Sequence, residues 1–329
     1  MQHDFLRTGG IELHIAWLGN GPLVVLCHGF PGLWYSWRHQ LPALAAAGYR
    51  AVALDMRGYG RSSRPAELQA YGLDRTAQDV LAVLDHFGEQ RAVLVGHDFG
   101  ANLAWHMAVH TPERLRGVVS LCVPYAMPLA GNSEAPPSEL FASIASKHFF
   151  HMHYYQQSSV PESATIGRER EFLRKLFWAL CADGELLRWE DYPSEGTSYI
   201  DVLSEPPHEP PWSWLSVGDF EYYLNEYLCE DSSLTFAGGI NSYRVMDHNW
   251  RMFRSSRGAD VVVPSLFVGG EKDPVVKLGS DADFDVMRRR VRDLRGLTLV
   301  AGAGHFVQQE QPDQTTNLLL NFLASLTIS

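Results

Sequence analysis

Short apolar runs alternate with amphipathic stretches over the first 125 residues of this chain of 329 residues. Four of the apolar runs are bounded by Gly, Pro or charged residues and have the continuity of buried parallel strands: residues 23–27, 51–54, 92–95 and 118–123. Between them, apolar positions spaced by three and four predict helices over residues 36–47, 75–87 and 102–110. The pattern predicts an α/β protein with a mostly parallel central sheet and helices on both faces.

The alternation stops at residue 126. From there to about residue 257 the chain is rich in Pro, His and aromatic residues, with helical patterning between them. The earlier pattern then resumes, with strands predicted over residues 265–268 and 297–300 and helices over residues 283–294 and 311–326. We therefore expect a core formed by residues 1–125 and 258–329, with residues 126–257 inserted as a helical cap.

Composition narrows the range of partners and locations. Twenty-seven Lys and Arg residues against 38 Asp and Glu residues give a net charge of −11, which disfavours binding to nucleic acid or an anionic membrane. The four Cys residues have no paired spacing and predict reduced thiols. No apolar run reaches the roughly 18 residues of a membrane span. We expect a soluble, cytoplasmic monomer or homodimer.

Residues 92–100 carry the most informative motif, in which an apolar strand leads into Gly96-His97-Asp98-Phe99-Gly100 and then into a helix. Glycines two positions on either side of a central residue are typical of a nucleophile elbow, a tight turn that exposes that residue at the sheet edge. A carboxylate such as Asp98 needs no base to act as a nucleophile, and it suits attack at a tetrahedral carbon that bears a leaving group. The alternative interpretation is an Asp that caps the next helix.

Attack by Asp98 would give an ester between the enzyme and its substrate, and hydrolysis of this ester requires a base. His305 lies in a Gly-rich loop after the predicted strand 297–300, which places it at the same sheet edge as Asp98. Asp273, which follows strand 265–268, is the candidate to orient His305, with Glu271 as the competing choice. The chain order Asp98, Asp273, His305 matches the nucleophile, acid and base order of the α/β-hydrolase fold.

The ester carbonyl also needs hydrogen-bond donors as its oxygen becomes negative. The amides of Phe30, after strand 23–27, and of Phe99 are the candidates for this oxyanion hole. Since no cluster of His, Cys and carboxylates shows ligand spacing, no metal or organic cofactor is expected.

Six segments of the chain resemble the epoxide hydrolases of the α/β-hydrolase family, including soluble mammalian and mycobacterial members. These segments are residues 28–40, 55–62, 96–100, 239–244, 270–273 and 304–306, and the resemblance extends from about residue 3 to residue 326. In that family two cap Tyr hydroxyls bind the epoxide oxygen. Tyr243 matches the second of them, whereas His151 stands where the first is expected. The alternative is that Tyr154 or Tyr155 turns inward while His151 and His153 are exposed.

The resemblance implies that the chain converts a lipophilic epoxide and water to a vicinal diol through a covalent ester on Asp98. The matching substrate-binding positions are Phe30, Pro31, Phe99, Asn102, Met152, Tyr154, Val275, Val276 and Phe306. This lining does not distinguish a xenobiotic, a fatty-acid epoxide or a biosynthetic intermediate, so detoxification and secondary metabolism both stay open.

Two other functions use the same scaffold. A haloalkane or haloacid dehalogenase would share Asp98, Asp273 and His305. Haloalkane dehalogenases have a Trp directly after the nucleophile, and Phe99 lacks its side-chain N–H. A haloacid dehalogenase would need an Arg at this position to bind the substrate carboxylate, and Phe99 is not an Arg. A non-catalytic binding protein is the other alternative, because a fold alone does not establish activity.

Overall fold

An eight-stranded sheet forms the centre of the protein in the computed structural model, which describes residues 1–326. Its strands are β1 Gln2–Thr8, β2 Ile11–Leu18, β3 Leu23–Cys27, β4 Arg50–Leu54, β5 Ala92–His97, β6 Leu115–Leu121, β7 Ser265–Gly270 and β8 Leu294–Val300. The strand order is β1-β2-β4-β3-β5-β6-β7-β8. Strands β3 to β8 pair in parallel, whereas β2 pairs antiparallel with both β1 and β4. The predicted α/β class with a mostly parallel sheet is confirmed.

Helices cover the sheet and fill the segment between β6 and β7. They are α1 Gln40–Ala46, α2 Leu73–His86, α3 Phe99–His110, α4 Pro137–Ala145, α5 His151–Tyr154, α6 Val160–Thr165, α7 Glu169–Leu180, α8 Val217–Tyr227, α9 Ala237–Arg244, α10 Met246–Phe253, α11 Pro274–Leu278, α12 Asp281–Arg290, α13 Val307–Glu310 and α14 Pro312–Ser325. We call residues 122–264, which carry α4 to α10, the helical insertion. The cap boundaries 126 and 257 stay a prediction, and the last three residues of the predicted core lie outside the described range.

The two faces of the central strands pack into different apolar clusters. Leu94 belongs to one cluster, whereas its neighbours Val93 and Val95 belong to the other. Successive side chains of a strand point to opposite faces, so a strand covered on both sides must be apolar throughout. This explains why β3 and β5 are buried at every position. Among the described helices, none combines the length and the apolar character that crossing a bilayer requires.

Several element boundaries differ from the prediction at the ends of the sheet. The antiparallel strands β1 and β2 were not predicted, because charged residues interrupt their apolar pattern. The helix predicted over residues 283–294 is wrong at both ends. The Ser280 side chain accepts a hydrogen bond from the Asp283 amide, so α12 begins at Asp281, and it ends at Arg290 before β8 begins at Leu294. Strand β6 ends at Leu121 rather than residue 123, because Cys122 has a φ of 69°, which leaves the extended region.

The predicted helix over residues 36–47 is also divided. Residues Trp34–Trp37 form a separate 3₁₀ turn, and α1 begins only at Gln40. The turn holds Trp34 where its backbone N–H donates to buried Asp55 at 2.9 Å.

Candidate active site

The predicted catalytic side chains meet at one edge of the sheet. Phe30 follows β3, Asp98 follows β5, Asp273 follows β7 and His305 follows β8. Since these strands are parallel, their carboxyl ends lie along the same edge, which is where α/β folds bind ligands. The topology thus brings together residues that are up to 275 positions apart in sequence.

Asp98 occupies a strained turn between β5 and α3. Its φ of 54° and ψ of −117° lie outside the regions that non-glycine residues normally adopt. The turn depends on its flanking glycines, because a Cβ on Gly96 would lie 2.0 Å from the carbonyl oxygen of Gly100. The elbow geometry predicted from the motif is therefore present, and no side-chain capping bond from Asp98 to α3 accompanies it.

The Asp98 carboxylate lies deep in the protein but borders open space. Burial raises the pKa of Asp98, against the opposing effects of His305 and of amide hydrogen bonds from Phe30 and Phe99. The Phe30 amide donates to Oδ1 at 2.9 Å. The side chain nevertheless keeps partial solvent accessibility. Asp98 is therefore held by a backbone amide while part of the residue stays accessible.

His305 and Asp273 form a buried pair beside Asp98. The Nδ1 atom of His305 lies 3.2 Å and 3.3 Å from the two carboxylate oxygens of Asp273. Asp273 in turn accepts a hydrogen bond from the Val275 amide at 2.8 Å, which fixes its orientation. Burial alone would lower the pKa of His305, but the carboxylates of Asp273 and Asp98 raise it above the usual value. The competing candidate Glu271 is exposed to solvent.

His97 and Cys122 lie behind this pair. Ligand atoms of His97, Cys122 and His305 lie within 4.8 Å of one another, a cluster that sequence spacing did not show. The His97 Nε2 atom donates to the backbone oxygen of His305 at 2.8 Å, and His305 Nδ1 faces Asp273. Burial raises the pKa of the Cys122 thiol. These hydrogen bonds account for one ring nitrogen of each of the two histidines.

Tyr243 and His151 face the elbow from the helical insertion. The Tyr243 ring lies 4.8 Å from the Phe99 ring and 5.5 Å from the His151 ring, measured between centroids. Burial and the nearby Asp98 carboxylate raise the pKa of Tyr243, which keeps its hydroxyl protonated. Burial lowers the pKa of His151 to about 3, and its Nδ1 has no hydrogen-bond partner. His151 is therefore a buried neutral imidazole, not an exposed helix residue.

Of the neighbouring tyrosines, Tyr155 is the one that turns toward Tyr243. The two rings stack 4.7 Å apart with an angle of 11° between their planes, and the Tyr155 hydroxyl is buried without a partner. Tyr154 instead borders a separate surface depression beside His153.

A cavity of about 150 Å³ lies between α3 and α10, and Asp98, Tyr243, His151 and His305 are not among the residues that line it. Phe99 and Asn102 of the predicted lining border it. Phe306 packs against Phe177 and Trp214, and Met152 packs in a cluster with Phe141. The remaining predicted lining positions, Phe30, Pro31, Tyr154, Val275 and Val276, do not border this cavity. For all positions outside its lining, substrate contact stays a prediction.

Comparison with known proteins gives the family. A model of the alpha/beta hydrolase fold matches residues 22–312. The protein named epoxide hydrolase A from Mycobacterium tuberculosis is 37% identical over 325 residues, which cover 98% of this chain and 97% of that protein. The chain belongs to the epoxide hydrolases of the alpha/beta hydrolase fold family.

Other epoxide hydrolases agree with this placement. The solved structure of an epoxide hydrolase from an endophytic Streptomyces superposes with a TM-score of 0.90 at 36% identity, covering 100% of this chain and 96% of that one. The bifunctional epoxide hydrolase 2 of Rattus norvegicus is 33% identical over 95% of this chain, which spans 54% of the rat protein. The resemblance seen in the sequence motifs is confirmed.

Two residues near the candidate site of this epoxide hydrolase, Tyr199 and Glu310, were not predicted from the sequence. Tyr199 stacks on His151 at 5.4 Å between ring centroids, and the Asp98 carboxylate contributes to raising the pKa of Tyr199. No motif surrounds Tyr199, so only the fold could reveal it. Glu310 binds the loop that carries His305, and its signal was available: a carboxylate five positions after the predicted base.

Proposed function

We propose that the chain hydrolyses a lipophilic epoxide to a vicinal diol through a covalent ester on Asp98. The observation that carries this proposal is the Asp98 carboxylate, which sits on a strained elbow with a phenol in front of it and a His–Asp pair beside it. This arrangement supplies a nucleophile, an acid for the ring oxygen and a base for water.

In the first step, Oδ2 of Asp98 attacks one epoxide carbon and the bond from that carbon to the ring oxygen breaks. The Phe30 amide holds Oδ1, which directs Oδ2 toward the substrate. The Tyr243 hydroxyl protonates the departing oxygen, while the neutral imidazole of His151 donates a hydrogen bond to it. The product is a hydroxyalkyl ester, in which Asp98 carries no charge.

In the second step, His305 removes a proton from water as the water attacks the carbonyl carbon of Asp98. Asp273 stabilises the imidazolium that forms. The amides of Phe30 and Phe99 stabilise the negative oxygen of the tetrahedral intermediate. When the tetrahedral intermediate collapses, the bond between the Asp98 carbonyl carbon and the substrate oxygen breaks, and this oxygen takes the proton from His305. The Asp98 carboxylate is restored and the diol is released. Of the two water protons, one ends on the diol and the other restores the Tyr243 phenol.

Phe99 favours epoxide opening over dehalogenation. A halide leaves as an anion and needs side-chain donors around it, which the Phe99 ring does not provide. An epoxide oxygen stays attached to the substrate and can be protonated from Tyr243 instead.

We also propose the remaining properties of the protein. The reaction uses side chains and water and requires no metal or organic cofactor. The protein is soluble and cytoplasmic, acts as a monomer or homodimer, and its small-molecule substrate is the only class of ligand that its function needs. Residues 126–257 act as a cap over the core.

Incubation with styrene oxide and with haloalkanes and haloacetates tests this function. We expect vicinal diol from styrene oxide and no halide release from the halogenated compounds. With enzyme in excess over styrene oxide in ¹⁸O-labelled water, one turnover should place the label on the Asp98 carboxylate, because water attacks its carbonyl carbon. Halide release without diol would identify a dehalogenase. Absence of both products would favour a binding protein.

The pH dependence of ester formation tests the role of His151. Because the pKa of His151 is lowered to about 3, we expect no titration of this residue in the alkylation rate between about pH 6 and 8. Measurement in a His305→Gln background isolates alkylation from hydrolysis. His151→Tyr should give an equally flat profile and an alkylation rate that is higher by up to about tenfold, since a phenol donates a proton more readily than a neutral imidazole.

Tyr243→Phe is the matched control for this experiment, because it should slow alkylation at every pH. A wild-type rate that rises toward acidic pH, and that loses this rise in His151→Tyr, would show that the imidazolium form acts as the acid.

A further inference from the structure

We propose that Glu310 is a positioning residue for the hydrolytic base: its carboxylate gathers the amides on both sides of His305 together with one amide of the helical insertion, and thereby aims the imidazole at the ester. This proposal rests on the proposed function of His305 and adds a residue to that site.

The Glu310 carboxylate binds three backbone amides from two parts of the chain. Its Oε1 atom accepts a hydrogen bond from Phe306 at 2.8 Å. Its Oε2 atom accepts from Gly304 at 2.9 Å and from Ala182 at 2.7 Å. Above its pKa of about 7, where Glu310 is ionised, these hydrogen bonds are shorter and stronger than those between neutral groups. One side chain at the end of α13 therefore holds the residues before and after His305.

The helical insertion holds the same loop from its other side. The His305 amide donates to the carbonyl oxygen of Leu180, at the end of α7, at 2.9 Å. A Cβ on Gly304 would lie 2.4 Å from the amide nitrogen of Ala182, so the two backbones are in direct contact. Because Glu310 binds both Gly304 and Ala182, its carboxylate fixes the loop and the insertion relative to each other.

Glu310 also acts on His305 through its charge. Burial raises the pKa of Glu310 to about 7, against the three amide bonds and together with the Asp273 carboxylate. The Glu310 carboxylate in turn contributes to the raised pKa of His305. The Cys181 thiol also lies near Glu310. The Nζ atom of Lys272 donates to the carbonyl oxygen of Ala182, the residue whose amide Glu310 binds. Loss of the Glu310 charge should therefore lower the pKa of His305.

This role predicts a defect confined to the second half-reaction, because Asp98 attacks the epoxide without help from His305. Rapid mixing with styrene oxide, followed by acid quench and intact-mass analysis, measures ester formation and ester hydrolysis separately. For Glu310→Ala we expect hydrolysis to slow by about a hundredfold, the scale of a small displacement of a catalytic group. Alkylation should stay within about twofold of wild type, and the ester should accumulate.

Two conservative variants separate position from charge. Glu310→Gln keeps one carbonyl acceptor but loses the charge, so hydrolysis should slow by about tenfold and its acidic limb should move to lower pH. Glu310→Asp keeps the charge but is shorter, so hydrolysis should slow while the acidic limb stays where it is. If Glu310→Ala does not fold, as judged by circular dichroism, these two variants decide the question.

The matched control is Glu226→Gln. Glu226 on α8 binds Arg61 of the core, so it too joins the insertion to the core through a carboxylate, but it does not touch the His305 loop. Both half-reactions should be unchanged in this variant. Unchanged hydrolysis in the Glu310 variants, or an equal loss in both half-reactions, would overturn the positioning role. A wild-type protein that forms no diol would instead overturn the proposed function itself.

Discussion

Asp98→Asn is expected to reduce diol formation by at least about 10⁴-fold, the scale of removing a nucleophile. An amide oxygen is too weak a nucleophile to open the epoxide at a useful rate. The substitution preserves shape, and the Asn carbonyl oxygen can still accept the Phe30 amide bond that Oδ1 accepts now. The measurement is diol formation from styrene oxide, with intact-mass analysis to show that no adduct forms.

The same variant should unfold at a higher temperature than wild type at pH 7. Burial raises the pKa of Asp98, so the native state binds this proton more tightly than the unfolded state. The resulting stability is present below the unfolded pKa of about 3.9 and is lost as the pH rises through the raised native value. At pH 7 the ionised carboxylate therefore destabilises the fold, and a neutral Asn removes that cost. Full activity in Asp98→Asn would contradict the assignment of Asp98 as the nucleophile. A lower unfolding temperature would contradict the claim that its ionised carboxylate destabilises the fold.

The candidate catalytic residues could be predicted from sequence because the fold follows a simple rule. Each of Asp98, Asp273 and His305 comes directly after an apolar strand, and parallel strands carry their carboxyl ends to one edge of the sheet. The choice of Asp273 over Glu271 followed from position alone. The structure shows the physical difference between them, since Asp273 is buried against His305 whereas Glu271 is exposed.

The helical insertion was less predictable, since its side chains are placed by tertiary packing. Sequence matching located His151, but only the packed structure shows its burial, which lowers its pKa to about 3 and disfavours the imidazolium form. The contact of Tyr199 with His151 joins residues 48 positions apart in a segment without regular patterning. The strands β1 and β2 were missed for a different reason: β1 forms the sheet edge, where polar side chains are tolerated, and charged residues interrupt the apolar pattern of both strands.

His305→Gln is expected to convert the enzyme into a trap for its own intermediate. Without the base, hydrolysis of the ester should slow by about 10²-fold to 10⁴-fold, whereas alkylation should change by less than about threefold. Intact-mass analysis after mixing with styrene oxide should show one adduct whose added mass equals that of the whole epoxide, because ring opening expels no leaving group. Peptide mapping should locate the adduct on Asp98.

Two variants make this result specific. His86→Gln replaces an exposed His at the end of α2 and should leave both half-reactions unchanged. The double variant with Asp98→Asn and His305→Gln should form no adduct, because the trap needs the nucleophile.

If His305→Gln turned over at the wild-type rate, the base would have to be another group. His97 would be excluded from that role because its Nε2 donates to the His305 carbonyl oxygen. An adduct that formed without Asp98 would place the covalent chemistry on another residue. Accumulation in His305→Gln alone therefore assigns the carboxylate to the first half-reaction and the imidazole to the second.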